Sequence, residues 1–253
     1  MHIVLTGVTG AAGLAIYRAA LTDPAVQQVT LLTRREVPSW AKLPPNANEK
    51  TAVILHTDFK TYPPDLARRL AGHDALIWAL GKSAYGMSEE AYTELTYDYT
   101  LSAARALKEA GAGSAEKPFR FVFISGEYAD STGQSGQMWA KVKGRVEREL
   151  PELFKGTNMI AHIYRAGYFF PSKKYPEDRL NQRSLLSRLA DVAVGPVLKM
   201  LAPSLYSPIE DLGRFAVEVA KGRWPQQTFS RNADMRELMK SVPPLAHPKH
   251  DEL

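Results

Sequence analysis

The chain of 253 residues contains no cysteine. That absence excludes a disulfide framework, a thiolate metal site and a catalytic thiol together. No apolar run approaches the roughly 18 residues of a membrane span, so no membrane role is expected. The six histidines form neither an H-x-x-x-H nor an H-E-x-x-H pair, which argues against a metal site. Charge of one sign is also scarce, with 32 Lys and Arg against 27 Asp and Glu for a formal charge of +5. The excess is spread along the chain, so it does not point to nucleic acid, and an anionic cofactor is reason enough for some of it. No internal repeat or low-complexity tract is present. The first apolar run begins at His2 and leaves no room for a leader peptide, so the cytoplasm is the expected compartment. One feature disagrees. His250-Asp251-Glu252-Leu253 has the form of the HDEL retention signal, which implies the endoplasmic reticulum lumen only if a leader is missing.

What is there is organised around residues 1–18, MHIVLTGVTGAAGLAIYR. His2 to Thr6 is a β-branched apolar run that suits a buried strand. Gly7, Gly10 and Gly13 follow, with Thr9 among them, and a helical pattern begins at once. A strand, a glycine turn and a helix N-terminus make a place for a pyrophosphate, because backbone N–H groups can approach where no side chain intervenes. The spacing is G-x-x-G-x-x-G rather than the usual G-x-G-x-x-G. After the second predicted strand, Val29 to Leu32, stand Arg34 and Arg35. A carboxylate at this point would favour the free 2′-hydroxyl of NAD, whereas arginine favours the 2′-phosphate of NADP. A solvated basic loop is the plain alternative.

Further predicted strands run over Ala52–His56, Ala75–Leu80, Phe119–Ile124 and Met159–Tyr164, separated by helical patterns that include one long helix over Glu89–Ala110. Asp58 and Phe59 past the third strand are candidates for the adenine, and Asp58 serves equally as a turn cap. Gly81 past the fourth is where a backbone runs beside a dinucleotide. Six strands alternating with helices predict an α/β fold, a Rossmann-like doubly wound parallel sheet. The rhythm changes after the sixth strand. Residues 167–206 are read as a small substrate-side cap on one domain spanning 1–242, with a mostly helical stretch over Leu180–Leu198. Residues 243–253 are read as a flexible tail.

These pieces resemble the short-chain dehydrogenase/reductase superfamily in its atypical branch, near the Tat-interacting-protein-like oxidoreductases and the NmrA-type cofactor sensors. The resemblance is carried by GVTGAAG at Gly7–Gly13, LLTRR at Leu31–Arg35, FVFISG at Phe121–Gly126, WAKVKGRVE at Trp139–Glu147, YRAGYFFP at Tyr164–Pro171 and SPIEDLG at Ser207–Gly213. It implies a substrate-orienting hydroxyl at Ser125 and a Y-x-x-x-K pair whose lysine, at Lys143, holds the nicotinamide ribose. Four residues before Lys143 stands Trp139, not tyrosine. An indole N–H donates a hydrogen bond but has no usable acidity. Tyr128 or a water is then the expected stand-in for the phenol, with Tyr168 a further candidate.

The expected function is NADP(H)-dependent hydride transfer on a small organic substrate, with NAD(H) the second cofactor choice. A catalytically silent NADP(H) sensor acting through a protein partner is the alternative that Trp139 favours. A non-redox enzyme on the same fold is a third.

Overall fold

The computed structural model describes residues 1–184, 188, 191 and 200–243. Seven strands form one parallel sheet: β1 (His2–Thr6), β2 (Gln28–Thr33), β3 (Thr51–Leu55), β4 (Ala75–Trp78), β5 (Phe119–Gly126), β6 (Met159–Ala166) and β7 (Phe229–Arg231). Their order is β3-β2-β1-β4-β5-β6-β7. The chain therefore reverses its direction of travel across the sheet between β1 and β4, where Ile3 pairs with Ala75. In open α/β sheets the crevice at that reversal, beyond the carboxyl ends of the strands, is where ligands bind.

The central strands are continuous apolar runs because helices cover both faces. On one face, α1 (Ala11–Thr22) and the helix Ile209–Lys221 bury Leu14, Ile16, Leu212 and Phe215. On the other, α5 (Tyr99–Glu109) and α6 (Met138–Phe154) bury Leu101, Leu107, Val146 and Leu150. The two helices of the first face touch at Gly213, where a Cβ would stand 2.6 Å from the carbonyl oxygen of Ala15. Only glycine allows that approach.

Two expectations change. Six strands become seven, because β7 has three residues, too few for alternation to show, and is held in place by pairing with β6. The long helix over Glu89–Ala110 divides into α4 (Glu89–Thr93), a π-helical turn (Glu94–Asp98) and α5. Tyr92 and Tyr97 are both buried, yet five residues on a regular helix separate them by about 140°. The wide turn brings both rings inward. In the expected cap, α7 (Pro176–Gln182) overlaps the start of the helical stretch over Leu180–Leu198, the rest of which lies mostly outside the described residues. The 243–253 tail, after its first residue, also lies outside them, HDEL included.

What is described of the cap is held within itself and tied to α1. Tyr168 forms a bridge with Tyr206, and the Arg18 guanidinium of α1 pairs with the Asp178 carboxylate of α7 at 2.5 and 2.9 Å. Both partners are buried, and Arg18 also lies 3.6 Å from the centre of the Tyr175 ring.

Candidate functional site: a cleft at the sheet reversal

Two glycines of the β1–α1 turn are required by the protein's own backbone. Gly7 has φ +72°, and a Cβ on it would stand 2.3 Å from the Ala79 carbonyl oxygen. A Cβ on Gly13 would stand 2.1 Å from the carbonyl oxygen of Gly7. Gly10 is different: it is extended and caps α1, with no side-chain cap and no acidic residue in the helix's first turn. The leading N–H groups of α1 are thus left for whatever occupies the space in front of them.

That space is an open cleft of about 1550 Å³, well above the roughly 300–1,000 Å³ of an ordinary small-molecule pocket. Thr9, Gly10 and Gly13 line one end of it, with Arg35 and Gly81 beside them. A Cβ on Gly81 would meet nothing within 4 Å, so its bareness serves the cleft rather than the packing. Arg34 is exposed on the same loop, just off the lining, and neither arginine makes an ion pair among the described residues.

Asp58 and Phe59 are not brought there. Asp58 accepts from the Lys60 backbone N–H at 2.9 Å and the Thr61 hydroxyl at 2.6 Å, which hold its carboxyl below the usual range. It closes a turn. Phe59 has no exposed surface and packs against Trp78, Tyr99 and His56. Its ring is taken up by that packing and does not line the cleft.

The other end of the cleft holds Ser125, Tyr128, Trp139 and Lys143. Ser125 lies inside β5, not beyond its end, and is buried. Its hydroxyl donates to the Glu147 carboxylate at 2.5 Å. A hydroxyl has one proton to give, so toward the cleft Ser125 presents lone pairs only. Glu147 is buried in turn and receives the Arg165 guanidinium on both oxygens, at 2.5 to 3.1 Å. Neither Glu147 nor Arg165 was singled out in the sequence. The available signal was the spacing, since Glu147 is four residues beyond Lys143 and shares its helix face.

Lys143 projects from α6 beneath the end of β5, and its ammonium donates to the Ile124 carbonyl oxygen at 3.2 Å. It lies 5.7 Å from the centre of the Phe123 ring and makes no ion pair with a carboxylate among the described residues. Burial pushes its pKa down to about 8, against a weaker upward pull from Glu147. Trp139, one turn earlier, packs over Gly126 together with the Lys143 stem. Tyr128 follows two residues later with φ +70°, the one non-glycine in that region among the described residues, and is 61% exposed. Left-handed backbone on a tyrosine is strained and recurs at functional sites. Tyr168 also lines the cleft, but its hydroxyl donates to Asp191 at 3.0 Å and burial raises its pKa.

No described family's sequence profile matches the chain. Among curated proteins it is 34% identical over 125 residues to botcinic acid biosynthesis cluster B protein 16 of Botryotinia fuckeliana, covering 48% of this chain and 78% of that one. It is 28% identical over 153 residues to leucinostatins biosynthesis cluster protein T of Purpureocillium lilacinum, covering 60% of this chain and 52% of that one. The match thus spans about half the length of the latter protein. A longer match, 28% over 226 residues, is to mitochondrial protein FMP52 of Lodderomyces elongisporus, covering 87% and 86%.

Among solved structures, Pseudomonas aeruginosa RhlG in its NADP active-site complex superposes with a TM-score of 0.60 at 20% identity, covering 91% of this chain and 93% of that one. The Streptomyces venezuelae dTDP-glucose 4,6-dehydratase DesIV, with NAD bound, gives 0.60 at 17%, covering 96% and 81%. The chain belongs to the family of the Botryotinia cluster protein, and its fold is the Rossmann-like fold of the short-chain dehydrogenases/reductases.

Proposed function

We propose that the protein is an oxidoreductase that uses NADP(H), with NAD(H) as the poorer cofactor, on a small organic carbonyl, alcohol or alkene. The observation that carries this is the sharing of one cleft by the uncapped first turn of α1 and the Lys143 ammonium. The donor set fits a dinucleotide: backbone N–H groups at Gly10 to Gly13 for the diphosphate, Arg34 and Arg35 for a 2′-phosphate, Lys143 for ribose hydroxyls. The cofactor supplies two-electron redox chemistry when bound. The chain supplies orientation, with Ser125 accepting a hydrogen bond from substrate or water and the Trp139 indole walling the site. The biosynthesis-cluster names of two relatives support a small organic substrate. The reading involves neither nucleic acid nor membrane, and no described helix is long and apolar enough to cross one.

The test is titration with NADPH and NADH, read by cofactor fluorescence and calorimetry. NADPH is expected to bind more tightly, and Arg34→Ala and Arg35→Ala each to weaken it by about tenfold or more, the worth of a charge-assisted contact. Failure of both nucleotides to bind at millimolar concentration would sink the reading.

A second reading follows from Trp139, which removes the family's phenol. The protein would then be a silent NADP(H) sensor that passes cofactor state to a protein partner. It predicts tight NADPH binding without turnover of any carbonyl offered. As for compartment, the mitochondrial name of the Lodderomyces relative counts against a cytosolic location. Fractionation of cells expressing the chain separates the two.

A further inference from the structure

The cleft has lost a phenol but not every acid. Of its polar groups near Trp139, the Ser125 hydroxyl already donates its hydrogen bond to Glu147 at 2.5 Å. The Tyr168 hydroxyl is spent on Asp191. Tyr128 lines the cleft with 61% of its surface exposed to water. The indole cannot ionise. Lys143 remains. Its ammonium lines the cleft, uses one donor on the Ile124 carbonyl, and keeps two N–H bonds for other partners.

We propose that Lys143 itself moves the proton in this cleft, giving it to the substrate oxygen in reduction and taking it back in oxidation. This rests on the dinucleotide reading above and gives the lysine a proton transfer that the Trp139 indole cannot perform. In reduction the substrate carbon gains a C–H bond, with its electron pair, from the reduced nicotinamide. The C=O π pair moves to oxygen, which takes H⁺ from the Lys143 ammonium, and the neutral amine regains a proton from water. In oxidation every transfer reverses.

The surroundings suit the task. A general acid works best with a pKa near the working pH, and burial brings Lys143 to about 8. The charged groups about it leave that setting in place. Glu147 on the same helix is neutralised by Arg165 of β6. Glu127, past the end of β5, is neutralised by Arg231. Arg35, Lys82 and Glu36 border the same cleft, and Arg183 there is paired with Asp191.

Two measurements on the full chain test this. The first is competitive acetylation with acetic anhydride across pH 6 to 11, with lysine-bearing peptides followed by mass spectrometry. Lys143 is expected to reach half-labelling near pH 8, about two units below the exposed lysines on the same molecule. A midpoint shared with the exposed lysines overturns the proposal. The second is NADPH-dependent reduction of 9,10-phenanthrenequinone, an apolar aromatic dicarbonyl. Lys143→Met is expected to lose at least about 100-fold in kcat. Lys143→Arg should lose as much while abolishing the fall in rate above pH 8, and Lys141→Met should behave as wild type.

A Lys143→Met protein that binds NADPH and turns over at the wild-type rate overturns the proposal. So does a wild type that binds NADPH and reduces no quinone. If NADPH does not bind at all, the dinucleotide reading fails, and a low acetylation midpoint would still mark Lys143 as a titrating amine. The two failures are therefore told apart.

Discussion

Glu147 shows how much a single buried side chain can organise. It holds Ser125 by one hydrogen bond and Arg165 by a bidentate pair, so it joins α6 to two adjacent strands. Replacing one partner of such a pair leaves the other charge buried alone, at a cost of about 3–5 kcal/mol. Glu147→Gln is expected to lose stability of that order in urea denaturation, whereas Ser125→Ala should lose about 1 kcal/mol. Lys143 has the opposite sign. Its folded pKa is depressed to about 8, so below that pH the folded state carries a charge that the unfolded state holds more easily. Stability rises with pH between about 8 and the ordinary lysine value near 10.4, where the unfolded chain binds more protons. Lys143→Met is therefore expected to stabilise the protein by roughly 1–3 kcal/mol at pH 7. The gain should shrink toward pH 10, as thermal melts at both pH values will show. Gly7 and Gly13 were legible in the sequence because each answers to the backbone. Glu147 was not, because a glutamate on an amphipathic helix carries no mark of facing inward.

At the scale of elements, the strands declared themselves wherever an apolar run was bounded by turn residues, as in β1, β2 and β5. β7 escaped because three residues make no pattern, and its position comes from pairing with β6. The π-helical turn escaped because Tyr92 and Tyr97 both read as core while the sequence between them reads as ordinary helix. Phe59 was ambiguous for a related reason: a ring just past a strand end can turn toward ligand or toward core. Here Trp78 and Tyr99 claim it. The crossing of α1 with the helix Ile209–Lys221 gives an element-scale prediction. Adding a Cβ at Gly213 drives it to 2.6 Å from the Ala15 carbonyl oxygen, and the two helices must part. Gly213→Ala is expected to cost about 1–3 kcal/mol, as overpacking does. Because α1 carries the turn at Gly10, NADPH affinity should fall too, in the same fluorescence titration.

For the molecule as a whole, the buried Arg18–Asp178 pair is the strongest described tie between the dinucleotide end and the cap. Arg18→Met strands Asp178 and should free the cap while leaving the sheet intact. Hydrogen exchange is expected to show residues 167–184 opening at least tenfold faster, with β1, β4 and β5 still protected. The crossing at Gly213 has one more consequence, in the order of folding. Residues 209–221 cover the apolar face of a helix made some two hundred residues earlier, and β1 pairs with a strand more than seventy residues away. Contacts so distant in sequence slow the search for the native state. On the ribosome, then, the glycine turn is synthesised long before the segment that closes over it. Until the 209–221 segment emerges, Leu14 and Ile16 lack their helical cover, and a chaperone has its longest opportunity there.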